Sequence, residues 1–118
     1  MIAGNLKRVT SRINSIECNH EVQLIAVSKT RSTAEIQEAI NAGQVHFGEN
    51  YLQESLDKIS FFKESKLIWH FIGPIQSNKT ASIAENFDWV HSVDRLKIAK
   101  RLSDQRDSSL EKLNILIQ

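Results

Sequence analysis

Five short apolar runs recur along this chain at nearly constant spacing, and that regularity constrains the fold more than any other feature. They are Leu24–Val27, Val45–Phe47, Leu67–Ile72, Trp89–Val93 and Leu113–Ile117, with starts 21, 22, 22 and 24 residues apart. Each interval holds a turn and a helix of helical apolar period, and little else. Strands alternating with helices at this interval predict a parallel sheet joined by helical crossovers. The predicted unit is α(βα)₄β.

The helices carry their own start and stop signals. Ser32 and Glu35 form a capping-box pattern ahead of Ala34, Ile36, Ala39 and Ile40, and Gly43 closes that helix. Asn50 and Gln53 mark a second start, with Leu52, Leu56, Ile59 and Phe62 on one face. Ser77 is the expected cap for the helix carrying Ile83, Ala84 and Phe87, and Asp94 for the one carrying Ile98, Ala99 and Leu102. An amphipathic N-terminal helix precedes them all, with Ile2, Leu6, Val9, Ile13 and Ile16 spaced 4, 3, 4 and 3. Its expected place is outside the sheet or across one end.

Two architectures fit this pattern. One is a doubly wound sheet of flavodoxin or receiver type. The other is part of a (β/α)₈ barrel, which needs about 250 residues when complete. The chain has 118 residues and stops at Gln118, directly after an apolar strand. The expectation is therefore an N-terminal fragment, one domain over residues 1–118. Its open sheet would favour self-association.

Composition narrows the partners. The 15 basic and 14 acidic residues give a net charge of +1, no electrostatic case for nucleic acid or an anionic membrane. One cysteine, Cys18, excludes an internal disulfide framework. No zinc-site spacing, signal-peptide h-region or membrane-length apolar run is present. A cytoplasmic protein without a metal is expected.

Polar residues collect where the strands end. These positions read Ser28-Lys29, Gly48-Glu49-Asn50, His70-Phe71-Ile72-Gly73 followed by Pro74 to Lys79, and His91-Ser92-Val93-Asp94-Arg95. In either parallel architecture the ligand binds at that edge. Lys29 follows an apolar strand, where partial desolvation makes an amine nucleophilic toward aldehydes; the alternative is a lysine that snorkels into solvent. Glu49 is read as a balance for Lys29 or Lys79. Asn50 is read as a cap or a ligand, and His70 as a rim group or a satisfied core histidine. No aspartate ends the first or third strand, which weighs against a receiver-type phosphoacceptor.

Together, Ala26-Val27-Ser28-Lys29-Thr30, His46-Phe47-Gly48-Glu49-Asn50-Tyr51, Trp69 to Gly73 with Gln76-Ser77-Asn78-Lys79, and His91 to Arg95 resemble the pyridoxal-phosphate homeostasis proteins. These are YggS-type relatives of the N-terminal barrel domain of alanine racemase. The resemblance runs from Leu24 to Gln118. It implies a (β/α)₈ barrel carrying pyridoxal 5′-phosphate, with Lys29 as the aldimine lysine and Asn50 near the cofactor; His70, by its place near a strand end, is a further rim candidate for the cofactor. The resemblance also implies a role in vitamin B6 and amino-acid homeostasis without robust turnover, with amino acids or cofactor-dependent apoenzymes as partners. A racemase-like enzyme and a flavodoxin-type module without the cofactor are the alternatives. In such barrels the phosphate is commonly held after strands seven and eight, beyond the five strands read here.

Overall fold

A computed structural model describes all residues, Met1–Gln118. Helix α1 (Ile2–Asn14) leads into strand β1 (Ala26–Val27), helix α2 (Thr33–Asn41), strand β2 (His46–Glu49) and helix α3 (Leu52–Phe61). Strand β3 (Ile68–Phe71), helix α4 (Thr80–Asn86), strand β4 (Trp89–Val93), helix α5 (Leu96–Gln105) and strand β5 (Asn114–Ile117) complete the chain. All four strand pairings are parallel.

The strand order is β1-β2-β3-β4-β5, without reversal. That order decides between the two architectures. A doubly wound sheet reverses direction at a switch point and so covers both of its faces. Without a reversal, right-handed crossovers stack their helices on a single face. The doubly wound alternative is thereby corrected: this is the sequential arrangement of a barrel-type sheet. Helices adjacent in sequence accordingly pack together, α1 on α2, α3 on α4 and α4 on α5.

Register assigns residues to the two faces. Ala26, Phe47 and Trp69 lie level on one face, and Glu49, Phe71 and Val90 above them. Phe47, Trp69, Phe71 and Val90 are buried with Ile36, Ile83, Phe87, Ile98 and Leu102 from the helical layer. Each such side chain contributes about 1.5–3 kcal/mol of burial. The other face carries Val27, Gly48, His70 and Trp89 at one level. No helix covers it, and Val27 is 51% exposed.

Several local expectations hold, and others are corrected. The capping box is present: Glu35 N–H donates to Ser32 Oγ at 3.1 Å and Ser32 N–H to Glu35 Oε1 at 3.0 Å. Gly43 adopts φ +98° after α2, a conformation glycine tolerates. Tyr51, not Asn50, is the N-cap of α3, and Arg95, not Asp94, that of α5; neither makes a side-chain cap. Ser77 opens a 3₁₀ turn that runs into α4 instead of capping it. Strand β1 is shorter than Leu24–Val27 because the Leu24 carbonyl accepts from the Gln44 side chain at 2.9 Å. In α1, Ile2 and Leu6 pack against the core and Val9 is exposed; the helix ends at Asn14, so Ile16, also exposed, lies beyond it.

Candidate functional site at the C-terminal rim

Lys29 lies in the turn just after β1 and is exposed. The buried lysine of this rim is a different one. Lys58, from α3, has a side chain only 6% exposed and pairs with fully buried Glu49 at 2.9 Å. Its ammonium also donates to Glu54 Oε1 at 3.0 Å and to the Ser28 carbonyl at 2.6 Å. Ser28 donates its hydroxyl to Glu49 Oε2. The reading of Glu49 as a balance for Lys29 or Lys79 is therefore corrected: its cation is Lys58. Burying an ammonium is costly unless its protons are taken up, and here three oxygens accept them.

Thr30 completes the turn in the left-handed region, at φ +63°, uncommon for a β-branched residue. Its N–H donates to Glu54 Oε1 at 2.6 Å. The residues on both sides of Lys29 are thus held from α3: the Ser28 carbonyl by Lys58 and the Thr30 amide by Glu54. Ser28 faces the helices with Glu49.

Asn50 follows β2 on the neighbouring rim position, and its side-chain oxygen is buried with no hydrogen-bond partner. Gly73, after β3, lies against it. A Cβ at Gly73 would stand 2.6 Å from Asn50 Cβ and 2.7 Å from its carbonyl oxygen. Only glycine permits that approach without displacement. The Gly73 carbonyl in turn accepts from the Ser92 hydroxyl, and Arg95 donates to the Ile75 carbonyl at 3.1 Å. These contacts knit the segments after β3 and β4 together.

His70 is not at the rim. It is buried within β3 at the level of Gly48 and Val27, and both ring nitrogens are occupied. Nε2 lies 2.9 Å from His46 Nδ1, and Nδ1 lies 2.9 Å from His91 Nε2. The three imidazoles form a row across β2, β3 and β4 on the face opposite the helices. Burial pushes the His70 pKa down to about 4, helped by repulsion from His91 and His46. Burial also lowers His91, and lowers His46 against the opposing attraction of Asp88. The neutral row needs tautomers that agree along its length, each ring donating to the next. The nitrogens face one another and do not converge; no cluster of ligating side chains is placed to hold a metal ion. No helix is long and apolar enough to cross a membrane.

The Lys58 clamp was missed in the sequence, although a signal was there. Glu54 and Lys58 stand four apart, and Ser55, Lys58 and Phe62 fall on one helical stripe. That stripe, rather than Leu52, Leu56 and Ile59, is the fully buried one.

Comparison with known proteins places this geometry in context. No family model matches the chain. It is 53% identical over 125 residues to the pyridoxal phosphate homeostasis protein of Escherichia coli K12, covering 99% of this chain and 53% of the relative. The protein of the same name from Vibrio alginolyticus is 52% identical over 126 residues, covering 99% and 54%. Among solved structures, PipY of Synechococcus elongatus PCC7942 with PLP bound superimposes with a TM-score of 0.76 at 43% identity, over 89% of this chain and 48% of that one. The chain spans about half the length of the curated relatives it matches. Along that span, it is similar to the pyridoxal phosphate homeostasis proteins.

Proposed function

We propose that the protein binds pyridoxal 5′-phosphate as a lysine aldimine at Lys29 and serves vitamin B6 and amino-acid homeostasis in the cytoplasm. One observation carries this reading. An exposed primary amine sits on a turn fixed from both sides, at the rim position next to a buried amide with an unused oxygen. The relatives' name and the PLP-bound state of PipY support the choice of ligand.

The residues fit the group. Pyridoxal phosphate supplies an aldehyde; condensation with a lysine amine forms a carbon–nitrogen double bond and releases the carbonyl oxygen as water. Lys29 provides the amine, accessible to solvent for deprotonation and for later exchange with an incoming amine. Asn50 provides a polar contact, its amide able to offer either its oxygen or its NH₂. His70 contributes at one remove, as the centre of the neutral row on the open face of the sheet. In this reading the five strands are the N-terminal part of an eight-stranded barrel, and the phosphate is gripped by later strands. Amino acids or cofactor-requiring apoenzymes would be the recipients of the exchanged cofactor. The uncovered face, with Val27 and Leu116 exposed, would favour association between copies of this chain. Light scattering over a dilution series should show mass falling toward a monomer; one mass throughout contradicts that part.

The function is tested by titrating the protein with pyridoxal phosphate and following the visible band of the lysine linkage. The band should appear with the wild-type chain and be absent from Lys29→Arg, whose guanidinium is not a usable nucleophile at neutral pH. An undiminished band in Lys29→Arg would overturn the assignment.

A further inference from the structure

We propose that Lys58 and Glu54 are positioning residues for Lys29, holding its backbone while leaving its amine free. The inference rests on the reading of Lys29 as the cofactor amine and deepens it. Neither residue touches Lys29 through a side-chain bond. Lys58 takes the carbonyl of the preceding residue, Ser28, at 2.6 Å, and Glu54 takes the amide of the following residue, Thr30, at 2.6 Å. The two are joined to each other at 3.0 Å and sit one turn apart on α3.

Three features show that this is more than a helix docking on a sheet. Lys58 is buried, yet an apolar residue would fill the same place without desolvating an ammonium. Thr30 is held at φ +63°, and Glu54 accepts the N–H of that very residue. Such conformations persist where surrounding contacts over-determine them. Finally, the network reaches the turn through the Ser28 carbonyl and the Thr30 amide and makes no bond to the Lys29 amine itself. A reacting amine placed within a few tenths of an ångström gains rate from orientation alone.

The test compares wild type with Lys58→Met, Glu54→Ala and Glu54→Gln. Glu54 is 31% exposed, so Glu54→Ala keeps the Lys58–Glu49 pair and a folded chain even if Lys58→Met does not fold. The first readout needs no cofactor: exchange of the Thr30 amide in the apo protein. It should quicken in Glu54→Ala and be restored in Glu54→Gln, whose amide oxygen still accepts the bond. The second is the rate of borohydride-trapped pyridoxal phosphate adduct at Lys29. It should fall by about tenfold or more in Glu54→Ala, while labelling of Lys79 and Lys97 is unchanged. A normal Thr30 exchange rate and a normal Lys29 adduct rate in folded Glu54→Ala would overturn the positioning role and leave the cofactor reading intact. Absence of a Lys29 adduct from the wild type itself would overturn the cofactor reading, and this inference with it.

Discussion

The two faces of the sheet handle buried polar groups in opposite ways. On the helix face, Lys58, Glu49 and Glu54 are brought together as opposite charges, and the ammonium's protons go to defined oxygens. On the open face, His46, His70 and His91 stand in a row whose central member is held neutral. The first arrangement fixes backbone, since its bonds end on Ser28 and Thr30. The second joins three strands through side chains and depends on no proton being added. A charge pair is lost by deleting a partner; a neutral row is lost by acid.

The largest effect should come from deleting the buried ammonium. Lys58→Met leaves Glu49 as a buried carboxylate without its cation and should cost about 3–5 kcal/mol in chemical denaturation. Pairing it with Glu49→Leu should recover most of that loss. Equal loss in the double variant would mean that the ion pair is not what the site depends on. By contrast, Lys29→Ala, at an exposed position, should stay within about 0.5 kcal/mol of wild type.

Acid probes the other face. A histidine whose folded pKa lies below its unfolded value near 6.5 binds protons more strongly when unfolded. Its stabilising contribution is therefore complete above pH 6.5 and is lost as pH falls toward 4, the value near which His70 titrates. Stability should decline by on the order of 2–3 kcal/mol across that window. His70→Asn should flatten the decline; the same slope in that variant would assign the acid sensitivity to other groups.

Gly73→Ala asks whether the rim is as tightly built as the faces. The added methyl meets Asn50 Cβ at 2.6 Å, so one backbone must shift, at a cost of about 1–3 kcal/mol. Cofactor affinity should weaken with it, because Asn50 moves. A fully stable variant would show that the Asn50 position is soft. A small effect is expected of Ser32→Ala, which removes the exposed capping box at the start of α2 and touches neither network directly. It should cost about 1 kcal/mol and leave the Lys29 adduct rate alone.

What the sequence disclosed follows from the range of the forces involved. Strand spacing, the Ser32–Glu35 box and the Gly43 stop act within a few residues, so they are readable locally. The strand order was open because both architectures share the same local pattern, and crossover direction leaves no mark in residue types. Asn50 illustrates the limit at the rim. As a residue type it reads as a cap, but its carboxamide oxygen lies buried and its backbone is packed against Gly73, a contact across two strands. Lys29 and Lys58 illustrate it again. Both are lysines, and the apolar run before Lys29 pointed to it as the desolvated one. Burial instead falls on Lys58, because α3 turns that stripe toward the sheet, where Glu49 and Ser28 wait. The partners lie nine and thirty residues away, beyond any local pattern.

The exposed lysine, not the buried one, is proposed to carry the cofactor. The most direct test is peptide mapping of the wild-type protein after borohydride reduction with pyridoxal phosphate. One dominant adduct is expected, on the peptide containing Lys29, with Lys58 unmodified in the folded chain. An adduct on Lys58, or label spread evenly over the surface lysines, would contradict it.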